Sequence, residues 1–248
     1  EHQMRTETLA SIGIMVAGIA HEINNPLSGI SGISGNMIKM PQRYGLNNKG
    51  ISRIEAVYES ANRAESIMKD LLNLSRKKEY AVRSVNLREL VDQALSSVHF
   101  EGYRTVNKTI TGEEMVLAYC DPEKIRQVLI NLINNAAYAV LSRREEFPDE
   151  TYEPSIKINI GKKSKAAVIS IIDNGSGIET DYLKKIFDPF FTTKEPGQGT
   201  GLGLSICNKI ITEHKGSLNV DSTPGRTEFI IELPLRKGRN YSEKNTDS

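Results

Sequence analysis

His21 lies in the stretch IAHEINNP (Ile19 to Pro26), followed at once by Glu22 and then by Asn24, Asn25 and Pro26. An imidazole changes charge near neutral pH and can take up a transferable group, and a carboxylate beside it can orient or deprotonate it. Pro26 lacks the N–H that would bond the carbonyl of Glu22, so a helix through this stretch is expected to bend just past the histidine. Three later stretches suit a nucleotide. IIDNGSGI (Ile171 to Ile178) ends an apolar run in the carboxylate of Asp173, with Gly175 and Gly177 leaving room for a flat group. GQGTGLGLSI (Gly197 to Ile206) sets four glycines before a helix, where free N–H groups and the positive end of the helix dipole favour phosphate. In QVLINLINNAAYA (Gln127 to Ala139), Asn131 and Asn135 stand four apart on one helical face and can offer carboxamide oxygens to a hydrated Mg²⁺. Each stretch alone also reads blandly, as a tight turn, a flexible loop or a solvated helix face. The glycine stretch is neither a Walker A loop nor a dinucleotide fingerprint, since both registers fail.

Something must hold these groups in place. Apolar residues Leu9, Ile12, Val16, Ile19, Ile23, Leu27, Ile30 and Met37 recur mostly at spacings of three and four, the seam of an amphipathic helix. His21 lies roughly 200° around that helix from both Ile19 and Ile23, away from the seam. A break at Met40 to Gly50, rich in turn formers, leads to a second seam at Ile54, Val57, Ala61, Ala64, Met68, Leu71 and Leu74. One helical hairpin cannot hide both seams, so pairing with a second copy into a four-helix bundle is expected; packing on the C-terminal half is the alternative.

The second half mixes helices with strands. NLRELVDQALSSV and DPEKIRQVLINLINNAAYAVL read as helices capped by Asn86 and Asp121. TVNKTI and MVLAYC read as strands, SIKINIGKK with KAAVISIID as one hairpin, and SLNVDST with RTEFIIELPL as another. The fold class is α+β: a dimerising two-helix hairpin followed by an α/β sandwich. Expected boundaries are 1–80 for the hairpin domain, 81–86 for a linker, 87–238 for the sandwich and 239–248 for a polar tail.

Length and composition agree with two domains, at 248 residues and a formal net charge of +1. Nothing in that balance points to nucleic acid or to an anionic membrane surface. No run approaches the ~18 apolar residues of a membrane span. Cys120 and Cys207 form no paired metal or redox spacing, which fits a reducing, cytoplasmic setting. The chain starts at Glu1 and is expected to be a piece of a longer protein, with any sensing or membrane part upstream.

Taken together and in order, HEINNP, NLINNA, DNGSGI, FDPFFTTK and GTGLGLSI resemble the boxes of sensor histidine kinases, over about Leu9 to Leu235. The Phe-Phe-Thr-Thr-Lys form is most similar to their nitrogen-regulator-like subgroup. That resemblance implies a phosphoacceptor hairpin, a Bergerat-fold ATP-binding domain, ATP and Mg²⁺ as cofactors, a homodimer, and a response-regulator receiver domain as partner. It implies His21 as phosphoacceptor, Glu22 as the acid beside it, and Asn25 as the amide that positions water when the regulator is dephosphorylated. Asn135 becomes the magnesium ligand, with Asn131 in support. Asp173 accepts from the adenine amino group, Gly175 and Gly177 make room for the ring, and Thr227 stands near the same carboxylate. Gly199, Thr200, Gly201, Leu202 and Gly203 surround the phosphates within a mobile lid over 188–200. Two departures stand out. Tyr138 occupies a position where some relatives carry a basic or amide residue, which leaves Lys194 to supply charge, and Arg226 replaces a common glycine before the threonine.

Overall fold

The computed structural model describes residues 23–75, 80–98, 102–146, 151–195 and 199–235. Contacts divide the chain into two units, Glu1–Lys78 with Pro189–Ile206, and Glu79–Asp188 with Cys207–Ser248. The expected lid thus falls with the first unit. The tail beyond 238 lies outside the described residues.

In the first unit, helix α1 (residues 23–39) and helix α2 (Asn48–Ser75) are joined by a 3₁₀ turn at Pro41–Tyr44 and by Gly45, whose φ of 62° suits glycine. Asn47 caps α2 by accepting from the Gly50 N–H at 2.9 Å, so the helix starts inside the stretch expected as a break. Ser28 donates to Glu65 at 2.9 Å, Ser31 donates to Asn62 at 3.1 Å, and Gly35 faces the Tyr58 ring. Each step along α1 is matched by an equal step back along α2, which fixes the antiparallel register. α1 is continuous through Pro26; the bend expected just before it involves Glu22, outside the described residues. Among the described residues the hairpin buries Ser34 and Ala61, whereas the seam residues Ile30 and Val57 stay 44% and 45% exposed.

The second unit is layered. A five-stranded sheet runs in the order β2 (Asn107–Gly112), β4 (Ser155–Lys163), β5 (Ala166–Asp173), β7 (Arg226–Pro234), β6 (Ser217–Thr223). All neighbours are antiparallel except β2 and β4, which run parallel. Period-two alternation aims Ile156, Ile158, Ile160, Ile169, Ile171, Ile231 and Leu233 into one buried face. Helix α4 (Pro122–Glu146) packs on β4 and β5, with helix α3 (Leu87–Ser97) against it. The stripe Ile125, Val128, Leu129, Leu132, Ile133 and Ala136 is buried, as its spacing predicts. The caps are as expected: Asn86 accepts from the Arg88 N–H, and Asp121 Oδ1 accepts from Glu123 and Lys124 at 3.0 and 3.2 Å. The short helix α5 (Thr180–Leu183) and, from Cys207 onward, helix α6 (Gly203–Glu213) complete the elements.

Within the stretch 81–86 expected as a linker, Arg83–Asn86 forms β1, paired antiparallel with β3 (Leu117–Cys120) from Arg83 with Cys120 to Asn86 with Leu117. Val85 is the single apolar residue of that strand, so no alternation marks it, and its partner lies more than thirty residues away.

Candidate nucleotide site

Asp173 ends β5 on the core face and is 3% exposed. Its Oδ1 accepts from the Gly175 N–H at 2.9 Å. Burial pushes its carboxyl up to about 6, against the opposing pull of that N–H. A carboxylate poised so close to neutral at a strand end is expensive unless a donor meets it. The register places Thr227, also 3% exposed, directly opposite.

The turn that follows needs its glycines for close backbone packing. A Cβ on Gly175 would lie 2.7 Å from Ala139 Cβ, and Gly177 adopts a φ of 88° with Thr223 O 2.4 Å from where its Cβ would be. Asn174 supports the turn: its carboxamide accepts from Ser155 N at 2.8 Å and donates to Glu153 O at 2.8 Å. Arg143, from the last turn of α4, donates to Asn174 O at 2.7 Å and lies over the Tyr152 ring at 4.7 Å. Tyr152 donates to Asn174 O at 3.1 Å. None of Asn174, Arg143 and Tyr152 is singled out by the sequence motifs. Tyr152 lies outside all of them, and Arg143 reads as an ordinary basic residue near a helix C-terminus.

On α4, Asn131 and Asn135 are half-buried, and Asn131 donates to Cys207 Sγ at 3.4 Å. Among the described residues no group of three or more His, Cys, Asp or Glu could hold a metal. Arg226 lies on the face of β7 opposite Thr227 and is engaged by Asp221 at 3.0 Å and by Glu228, away from Asp173.

The remaining residues of the glycine box fall with the first unit. Thr200 Oγ1 accepts from Leu202 N at 3.2 Å, Leu202 is buried, and Gly203 opens α6. Gly201, at a φ of 66°, accepts from Phe190 N at 2.9 Å and leaves no room for a Cβ. A Cβ on Gly199 would meet Lys194 Cβ at 3.3 Å, and burial lowers the Lys194 amine from its ordinary value. Asn25 is exposed on α1, while His21 and Glu22 lie outside the described residues.

A sandwich with a buried strand-end carboxylate, a glycine turn beside it and paired carboxamides on the covering helix defines an ATP-binding domain of the Bergerat class. Residues 120–237 match the family model described as histidine kinase-, DNA gyrase B-, and HSP90-like ATPase, and residues 11–79 match that of the His Kinase A (phospho-acceptor) domain. The signal transduction histidine-protein kinase AtoS of Escherichia coli strain K12 is 34% identical over 241 residues, 96% of this chain and 37% of that protein. The catalytic domain of histidine kinase ThkA is 34% identical with a TM-score of 0.52, over 62% of this chain and 95% of that one. Histidine kinase ThkA in complex with the response regulator protein TrrA is 29% identical with a TM-score of 0.65, over 95% and 65%. The chain belongs to the sensor histidine kinases of two-component systems. It spans less than half the length of the curated relatives it matches.

Proposed function

We propose that the chain is a homodimeric kinase core that moves the γ-phosphoryl group of ATP onto His21 and then to an aspartate in the receiver domain of a response regulator. The observation that carries this is Asp173, a buried carboxylate at the mouth of a glycine turn whose carboxyl burial raises to about 6, an acceptor suited to an amino donor. Phosphoryl transfer is mostly positioning and charge stabilisation, which the glycine-rich box and Lys194 supply at the phosphates. Magnesium, when bound, neutralises charge on the β- and γ-phosphates. Asn135 would hold it with Asn131 in support, and Glu22 would orient or deprotonate the acceptor imidazole. Asn25, one turn beyond His21, is assigned to positioning the water that removes phosphate from the regulator.

ThkA, matched over most of this chain, is solved with a response regulator, which supports the receiver partner. Exposed seam residues on both hairpin helices support a second copy. A net charge of +1 gives no ground for nucleic acid as partner. Among the described residues no helix is long and apolar enough to cross a membrane. Both cysteines are buried thiols outside any disulfide, which supports work in the reducing cytoplasm.

Incubation with labelled ATP and Mg²⁺, followed by acid and base treatment, tests the reading. Acid-labile, base-stable label that chases to a receiver domain is expected, and Asn135→Ala should need more Mg²⁺ for the same rate. Phosphate release without label would make the chain an ATPase of the same superfamily. Acid-stable, base-labile label would mark a serine kinase. Nucleotide binding with neither label nor hydrolysis would make it a sensing scaffold.

A further inference from the structure

Three neighbouring strands align their side chains in rungs. Ile169, Ile231 and Leu218 form one rung across β5, β7 and β6, and Ile171, Phe229 and Val220 form the next. The following rung on the same face is Asp173, Thr227 and Ser222. Two apolar rungs therefore give way to one that is polar throughout. Polar groups at that depth are costly unless each is met by a partner.

Ser222 organises the rung. Its Oγ accepts from the Ile178 N–H at 2.9 Å, can donate to the carbonyl of Arg226 at 3.2 Å, and lies closer, at 3.0 Å, to Thr227 Oγ1, where either hydroxyl can donate. Having accepted once, the hydroxyl keeps one proton to give and one lone pair to offer. If it gives the proton to Thr227, the Thr227 hydroxyl is released to donate into the pocket beside Asp173. If it gives the proton to Arg226 O, the Thr227 proton turns back to Ser222 and lone pairs face the pocket. An adenine edge offers an amino donor next to a ring acceptor, the complement of a carboxylate next to a hydroxyl donor. A hypoxanthine edge offers a carbonyl next to an N–H, the reverse.

We infer that Ser222 is a positioning residue for base selection: it holds the Thr227 hydroxyl as a donor beside the Asp173 acceptor and ties Ile178, at the end of the glycine turn, to β6. This rests on the reading that the Asp173 pocket takes adenine. A purely structural Ser222 would affect all nucleotides alike, whereas a positioning Ser222 separates them.

Equilibrium binding of ATP and of inosine triphosphate to the whole chain distinguishes the two. Ser222→Ala is expected to weaken ATP about tenfold, the loss of one hydrogen bond's contribution, and inosine triphosphate by no more than about twofold. Ser222→Cys, nearly isosteric but a weak hydrogen-bonding group, is expected to lower the preference in the same direction with a melting temperature near the parent's. Ser222→Thr, which keeps the hydroxyl, should restore most of it. An unchanged ATP-to-inosine preference in both the alanine and cysteine variants overturns the inference, whatever happens to absolute affinity. A parent chain that binds both nucleotides equally overturns the adenine reading itself, and the inference with it.

Discussion

The two units differ in how completely they satisfy their own residues. In the sheet unit the core is closed between sheet and helices, and the groups around Asp173 are held by neighbours within the same unit: Asp173 by Gly175, Asn174 by Arg143 and Tyr152, Thr227 by Ser222. In the hairpin, polar contacts between Ser28 and Glu65 and between Ser31 and Asn62 fix the register, while Ile23, Ile30, Ile33 and Val57 remain open to solvent. Apolar seams of that kind are hidden by another copy rather than by refolding. In the proposed function, nucleotide recognition would need one chain, and the hairpin seam would need two.

The contrast can be broken first at the seam. Ile30→Glu forfeits about 1.5–3 kcal/mol of burial in each copy, so the dimer dissociation constant should rise by about a hundredfold or more, read by sedimentation. ATP affinity should stay within about twofold of the parent. A dimer of unchanged strength would show that the hairpin seam is not the interface.

A smaller effect is expected in the pocket. Asp173→Asn replaces an acceptor with a group that is partly a donor, costing about 1–3 kcal/mol of ATP binding. Because the folded carboxyl is raised to about 6 from an ordinary 3.8, ATP binding in the parent should weaken as pH falls below about 6. The stability of the nucleotide-free chain has the opposite sign. The group binds its proton more tightly folded than unfolded, so its contribution is fully present below about 3.8 and is lost as pH rises through about 6. Asp173→Asn should flatten both dependences between pH 4 and 7, as measured by calorimetric titration and thermal melting; profiles as steep as the parent's would mean that another group titrates there.

The smallest expected change lies on α1. Asn25→Ala should keep most autophosphorylation while dephosphorylation of the regulator slows by about tenfold or more. Equal phosphatase rates would leave Asn25 with no role beyond leading the chain into Pro26.

Much of this was legible in the residues. Asp173, Gly175 and Gly177 stand at the end of an apolar run, and the caps at Asn86 and Asp121 mark the starts of α3 and α4. The hairpin turn at Pro224-Gly225 was legible too, and it held a signal that the motifs do not carry. A two-residue turn there pairs Thr223 with Arg226 and hence Ser222 with Thr227, so Ser222 could have been found by counting outward from the turn. β1 could not be found in this way, since one apolar residue in four leaves no period and its partner strand is remote. Arg143 and Tyr152 were equally hidden. Their roles arise where the end of α4 meets the loop before β4, which no local pattern encodes.

The proposed roles of the Asp173 pocket in binding nucleotide and of His21 in receiving its phosphoryl group can be separated in one experiment. Labelled ATP and Mg²⁺ supplied to His21→Gln, with nucleotide affinity measured on the same sample, tests both at once. ATP affinity within about twofold of the parent and no acid-labile label are expected, since residues 11–79 and 120–237 match separate family models. Acid-labile label retained by His21→Gln would contradict the role of His21.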